Sequence, residues 1–324
     1  MKVAVVGTGM IVRMVGPHLA SWGWEVSDVA GTSLQKAQAV TQELGGEPHV
    51  DLGRMLALTC AEVVYVATPN HLHHEHVLRC LRAGKSVIVE KPLASNAREA
   101  EDLAREARER GLFLWEATTV YHQPNFKALR ELLPRIGSVR LALLNYSQYS
   151  SRYDAFRRGE VLPVFDPKKS GGALMDLGLY CLAFAVGLFG EPSGVCYEAN
   201  VQRGIDTSGV ALLDYGDFKA VCACAKDSAA PLVQTIQGDD GYLSLRTPPS
   251  QVGPVTLRLN DGREETVDRN PQIQWESEFL EFAEDYAAGN AGLSRSREAL
   301  ELSLAVSRVQ TRARQSAGIV FPAD

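Results

Sequence analysis

Short apolar runs and amphipathic stretches alternate over the first third of the chain. Val3-Ala4-Val5-Val6 runs straight into Gly7, and an amphipathic stretch continues to Trp22. Residues 25–30 form a second strand signal, and residues 34–44 read as a helix closed by Gly45-Gly46. Val63-Val64-Tyr65-Val66 and Ser86-Val87-Ile88-Val89 are two further apolar strands, separated by a helical pattern over residues 73–83. Asn96 with Glu99 three positions on is a capping box for a helix that runs to Arg110, closed by Gly111, and residues 112–115 are a last strand. This alternation predicts a parallel sheet covered by helices on both faces.

The rhythm changes beyond Pro124. A helix over residues 125–133 leads into an alternating strand, 139–149. A polar and aromatic loop, 150–170, then precedes an apolar helix, 172–189. Strands separated by turn signals fill residues 195–267, as in Gly238-Asp239-Asp240-Gly241 and Asn260-Asp261-Gly262, and predict a largely antiparallel sheet. Helices over 275–288 and 295–316 end the chain. The expected fold class is α/β: a doubly wound Rossmann domain over residues 1–120, then an α+β domain with an open, mostly antiparallel sheet over 121–324. A length of 324 residues is consistent with two domains.

Composition narrows the function classes. The 33 basic and 39 acidic side chains leave a net charge of -6, which argues against a nucleic-acid surface. Mixed-sign runs such as residues 98–110 read as solvated helix faces. Six cysteines show no CxxC spacing, and Cys222 and Cys224 alternate on one side of a strand, where they should not pair with each other. Free thiols point to a cytoplasmic protein. A first strand at Lys2 leaves no room for a signal peptide, and no apolar run is expected to reach the length of a membrane span.

The candidate chemistry clusters where strands of the first half end. Gly7-Thr8-Gly9-Met10-Ile11 after the first strand allows a tight turn and lets a pyrophosphate approach a helix N-terminus, although Val12 stands where a third small residue is usual. The second strand ends in Gly31-Thr32-Ser33 with Lys36 one turn on. No carboxylate is present there to take the ribose 2′-hydroxyl, so the segment favours NADP, with NAD as the alternative. Thr68-Pro69-Asn70-His71 follows the strand at 63–66, at the edge where open α/β sheets place ligands. The nearby histidines lack the HxxxH spacing of a helical metal site, so no metal is assigned. Glu90-Lys91-Pro92 offers a lysine whose direction the proline fixes, which beside an oxidised nicotinamide becomes a usable proton shuttle. Asp176 and Tyr180, at i and i+4, are expected to share one helix face, and Ser170-Gly171-Gly172 ahead of them allows close backbone approach to a ligand.

Taken in order, these motifs resemble the glucose–fructose oxidoreductase/inositol dehydrogenase (Gfo/Idh/MocA) family. Its pattern is a Rossmann domain with Glu-Lys-Pro, then Gly-Gly-x-x-x-Asp-x-Gly-x-His/Tyr. Tyr180 and Gly31 resemble the branch of glucose–fructose oxidoreductase and dihydrodiol dehydrogenase, which tends to use NADP. The resemblance implies Lys91, Asp176 and Tyr180 as catalytic residues around a sugar or polyol, and a homodimer or homotetramer built through the C-terminal sheet. The cofactor set is then Gly7, Thr8, Gly9, Met10, Ile11, Thr32, Ser33, Lys36, Thr68, Pro69, Asn70, His71, Glu90 and Lys91. Two departures bear on substrate: Tyr121-His122-Gln123-Pro124 replaces an Arg-x-x-Pro segment, and Pro163-Val164 replaces a Trp-Arg pair before Phe165-Asp166-Pro167. Replacement polar contacts could come from Tyr149, Arg152, Tyr153 and Arg157; that loop could equally be an oligomer contact. The expected activity is hydride transfer between a nicotinamide and a secondary alcohol or ketone. The alternative is a non-catalytic dinucleotide-binding sensor of the same fold.

Overall fold

The computed structural model describes residues 1–324, which divide into two compact units. The first comprises Met1–Ala117 and Trp275–Leu304. Its strands are β1 (Lys2–Val6), β2 (Glu25–Ala30), β3 (Glu47–His49), β4 (Val63–Val66), β5 (Ser86–Glu90) and β6 (Leu114–Ala117). They form one parallel sheet in the order β3-β2-β1-β4-β5-β6. Strand order reverses between β1 and β4, the switch point at which doubly wound sheets bind ligands. Both faces are covered, which is why β4 is apolar at every position and buried throughout. β3 has no apolar pattern (Glu47-Pro48-His49) and is absent from the sequence expectation; it is a three-residue edge strand.

Asn96 caps the helix Ala97–Arg110, its Oδ1 accepting the Glu99 N–H at 2.9 Å, while the Glu99 carboxylate takes the Ser95 N–H at 3.1 Å. Helix Glu276–Ala287 packs with this unit despite its late place in the chain. Trp24 Nε1 donates to the Phe279 carbonyl at 3.0 Å, and Phe279 meets Tyr65 edge-on at 5.5 Å.

The second unit comprises Thr118–Gln274 and Ala305–Asp324. Its strands are β7 (Val139–Ser147), β8 (Gly194–Gln202), β9 (Ile205–Asp214), β10 (Lys219–Ala225), β11 (Gln234–Gly238), β12 (Gly241–Leu245), β13 (Val255–Leu259) and β14 (Glu264–Val267). The sheet order is β14-β13-β12-β11-β7-β10-β9-β8, antiparallel except where β10 pairs with β7. Helix Leu179–Phe189, buried along most of its length, packs against β7 and β10.

Two sequence expectations need correction here. Residues 172–189 are not one α-helix: Leu174–Gly178 is a π-helical turn that runs into the α-helix at Leu179. And one stretch, Pro167–Phe189, is long and apolar enough to cross a membrane, with mean hydropathy 1.8 in its best window. Of that window, 78% is buried inside the protein, so its apolarity belongs to the core of this unit.

Candidate active site

The glycine turn of the first unit is shaped by its own backbone. Gly7 has φ +133°, and a Cβ there would stand 2.3 Å from the Ala67 carbonyl oxygen, so only glycine lets β1 and β4 end side by side. Gly9 opens the helix Met10–Leu19, which has no side-chain cap and no acidic residue in its first turn. Its first N–H groups are therefore available to an anion, and a Cβ at Gly9 would meet nothing within 4 Å. Val12, the departure from the glycine fingerprint, is buried. The tight helix contact falls instead at Gly16, where a Cβ would lie 2.4 Å from Leu44 Cδ1. Residues present thus fit a dinucleotide pyrophosphate.

Gly31 brings the end of β2 against that turn: a Cβ would lie 2.9 Å from Thr8 Cγ2. Thr32 and Lys36 are exposed beside it, while the Ser33 hydroxyl is the cap of helix Leu34–Leu44, accepting the Lys36 N–H at 3.3 Å. The nearest carboxylate in β2, Asp28, is buried in a polar network. Burial pushes its carboxyl up, but hydrogen bonds from Thr59, Ser27 and His49 outweigh this and hold it below the usual range. No acid is left for a ribose 2′-hydroxyl.

The two remaining strand ends are tied together by a residue that sequence reasoning passed over. His73 is fully buried, with Nδ1 2.7 Å from the Pro92 carbonyl and Nε2 2.7 Å from the Thr68 carbonyl. The Thr68 hydroxyl in turn meets His76 Nδ1 at 3.3 Å, so both Thr68 oxygens serve the loop itself. Lys91-Pro92 is a cis peptide. On one side of it, Glu90 Oε1 accepts the Tyr65 hydroxyl at 2.6 Å; on the other, Glu116 Oε1 accepts the Leu93 N–H at 2.7 Å. Burial pushes the Glu90 carboxyl up, against the Tyr65 hydrogen bond and the Lys91 charge. Lys91, itself partly exposed, thus stands on a turn anchored by Tyr65, His73 and Glu116. Two of these signals were visible in the sequence: a histidine on the apolar face of a helix and a glutamate inside an apolar strand. His74 in the same run is bound elsewhere, to Asp102 at 2.8 Å.

In the second unit the double glycine is filled by the chain itself. A Cβ on Gly171 would lie 2.7 Å from the Pro163 and Val164 carbonyl oxygens. Gly172, at φ +109°, would place one 2.1 Å from Asp206 Oδ1. The expectation that these glycines admit a ligand is therefore corrected: they admit the 163–164 loop and Asp206. Asp206 is buried, accepting the Leu174 N–H at 2.6 Å and the Tyr197 hydroxyl at 2.8 Å, and so anchors the start of the π turn. Turns of this kind recur at functional sites.

Asp176 lies in that turn and Tyr180 in the α-helix beyond it. The regular i, i+4 spacing assumed for the pair does not run through Gly178. Tyr180 is half-buried, its ring 5.7 Å from that of Tyr146. Asp176 forms an ion pair with Lys226, which sequence reasoning missed. The signal was a single lysine closing the apolar run Val221 to Ala225. In the 150–170 loop, Tyr153 is buried against Phe156 and Phe165, while Arg152 and Arg157 are exposed and Tyr149 donates to Asp154 at 2.8 Å. The six cysteines are free, and burial pushes the Cys80 and Cys224 thiols up to about 12, so neither supplies a thiolate.

Residues 1–118 match the model of the oxidoreductase family with an NAD-binding Rossmann fold, and residues 126–244 match the GFO/IDH/MocA C-terminal domain. The chain belongs to the Gfo/Idh/MocA oxidoreductase family. It is 36% identical to Bacillus subtilis scyllo-inositol 2-dehydrogenase (NADP(+)) IolU, over 100% of this chain and 99% of that protein. Mouse trans-1,2-dihydrobenzene-1,2-diol dehydrogenase is 30% identical over 72% of this chain and 65% of its own length. Among solved structures, KijD10, a 3-ketoreductase from Actinomadura kijaniata in complex with NADP and TDP-benzene, superposes with a TM-score of 0.84. It is 27% identical and matches over 98% of this chain and 97% of its own. This Gfo/Idh/MocA protein is an NAD(P)-dependent oxidoreductase acting on CH–OH groups, and the sensor reading gives way to the catalytic one.

Proposed function

We propose that the enzyme interconverts a secondary alcohol and a ketone on a small cyclic polyol or sugar, with NADP as its cofactor. The carrying observation is the carboxylate-free end of β2, where Thr32 and Lys36 stand exposed beside the Gly7-Thr8-Gly9 turn. A 2′-phosphate is met there by hydroxyl and ammonium groups instead of a repelling acid. The name of the B. subtilis relative, which couples scyllo-inositol to NADP, supports the same cofactor and a polyol substrate. The N–H groups of Gly9, Met10 and Ile11 would hold the pyrophosphate. The loop Thr68-Pro69-Asn70-His71 and the Glu90-Lys91 turn would border the nicotinamide.

A bound NADP would supply the hydride acceptor, and the chain's own residues would handle the proton. Tyr180, acting as the phenolate, takes the hydroxyl proton as the C–H bond breaks and the C=O bond forms, and the Lys91 ammonium stabilises that phenolate and relays the proton onward. Asp176 accepts a hydrogen bond from a neighbouring substrate hydroxyl. The anchoring of the Lys91 turn by Tyr65, His73 and Glu116 suits this role, because a proton relay loses rate steeply with misplacement. Lys91→Ala and Tyr180→Phe should each cut kcat on scyllo-inositol at least a hundredfold, with NADPH still bound. Near-normal turnover by both variants defeats the assignment.

One face of the second sheet carries exposed apolar side chains on three strands: Leu143, Val210, Leu212 and Tyr242. Such a patch supports a homodimer or homotetramer built through this sheet. Six free thiols support a reducing, cytoplasmic location.

A further inference from the structure

Lys226 follows β10 directly and its backbone is fixed on both sides: its N–H donates to the Thr207 carbonyl at 2.8 Å and its carbonyl accepts the Ser150 N–H at 2.9 Å. Its side chain is 7% exposed, with the ammonium 6.0 Å from the centre of the Phe165 ring. The adjacent carboxylate is turned elsewhere, since Asp227 Oδ2 accepts the Thr207 and Ser208 hydroxyls at 2.7 and 2.8 Å. Asp206 is likewise engaged by Tyr197 and the Leu174 N–H. Asp176 is thus the carboxylate that meets the buried ammonium, and it is the wetter member, with a side chain 31% exposed. The pair has a direction: a buried cation behind, a carboxylate reaching outward. Burying a lysine is costly, and an apolar side chain of similar length would fill the same space at no electrostatic cost.

We propose that Lys226 is a positioning residue for substrate selection, pairing with the Asp176 carboxylate and aiming it so that it accepts a hydroxyl adjacent to the reacting carbon. An ionised carboxylate only accepts hydrogen bonds, so the pair selects neutral substrates that carry a hydroxyl beside the carbon being oxidised. A substrate with a keto group or no oxygen at that neighbouring carbon offers nothing to it. This inference rests on the polyol reading above and on Asp176 facing substrate.

The test is steady-state kinetics on scyllo-inositol with NADP for wild type, Lys226→Met, Lys226→Arg, Asp176→Asn and the double variant Asp176→Asn/Lys226→Met, with NADPH binding followed by fluorescence. Lys226→Met should raise KM about tenfold, the size of one hydrogen bond to a charged group, with kcat and NADPH affinity within about twofold. Lys226→Arg should recover most of the loss. The double variant should be no worse than Asp176→Asn, because both changes remove one interaction. An unchanged KM in Lys226→Met, additive losses in the double variant, or an equal fall in kcat and NADPH affinity each overturns the proposal. A wild-type protein that binds NADPH but oxidises no polyol defeats the function itself, and this inference with it.

Discussion

His73 poses a question that acid titration answers. Both of its ring nitrogens lie 2.7 Å from carbonyl oxygens, an arrangement that favours the doubly protonated ring. Burial opposes this and is the larger effect, aided by the nearby charges of His76 and Lys91, and brings the ring down from 6.5 to about 4. At neutral pH the folded protein then holds a neutral ring, which donates its single N–H to one of the Thr68 and Pro92 carbonyls and turns an unprotonated nitrogen toward the other. Between pH 6.5 and 4 the unfolded chain binds a proton that the folded chain refuses, so stability is full above 6.5 and falls as pH drops. A gap of about 2.5 at 1.36 kcal/mol each gives about 3 kcal/mol in total. Roughly 1.4 kcal/mol of it is lost by pH 5.5 and roughly 2.5 kcal/mol by pH 4.5. Urea unfolding of wild type and His73→Gln across this range isolates the effect, since every other titrating group is common to both. The Gln variant should be less stable at pH 7.5, and its curve should lack the acid slope that His73 causes. Parallel curves, or a wild type that gains on the variant as pH falls, would show that the two carbonyls win and the ring is held charged.

Three further outcomes follow from individual contacts. Gly7→Ala forces a Cβ to 2.3 Å from the Ala67 carbonyl at φ +133°, so NADPH affinity should fall at least tenfold in a fluorescence titration, with Tm lowered. Asp206→Leu leaves the buried Leu174 N–H and Tyr197 hydroxyl without their acceptor and should cost about 3 kcal/mol, whereas Tyr197→Phe should cost about 1 kcal/mol by urea unfolding. Arg314 is buried and bound bidentately to Asp324, with both contacts at 2.6 Å. Asp324→Ala strands that charge and should cost about 3 kcal/mol, while the double variant Arg314→Met/Asp324→Ala should recover part of the loss. Equal stability of the single and double variants would refute that account.

The parts of the fold legible in the sequence are those specified locally. The capping residue Asn96, the glycine turn after β1 and the apolar runs of β4 and β5 each carry their instruction within a few residues, and the structure places them accordingly. β3 and the π turn were illegible for opposite reasons. The former has no periodicity to read; the latter has helical periodicity, and what shifts it is Asp206, an acceptor 32 residues away that takes the Leu174 N–H. The same rule divides the site. Lys91 and Tyr180, the proposed reactive side chains, stand in short motifs, but the groups that hold their surroundings in place do not. Lys226 reaches Asp176 across 50 positions, and Glu116 reaches Leu93 across 23. His73 is the instructive case, because it sits in a run of histidines that draws attention to metal chemistry. Its two nitrogens are committed to backbone carbonyls, one of them beside Lys91. A buried polar side chain in an apolar run is expensive unless something pairs with it, so each of these residues was a question the sequence posed and only packing could answer. On the proposed roles of Lys91 and Asp176, His73 and Glu116 fix the turn that carries Lys91 and Lys226 pairs with Asp176, so substitutions at these three residues should disturb catalysis or substrate affinity.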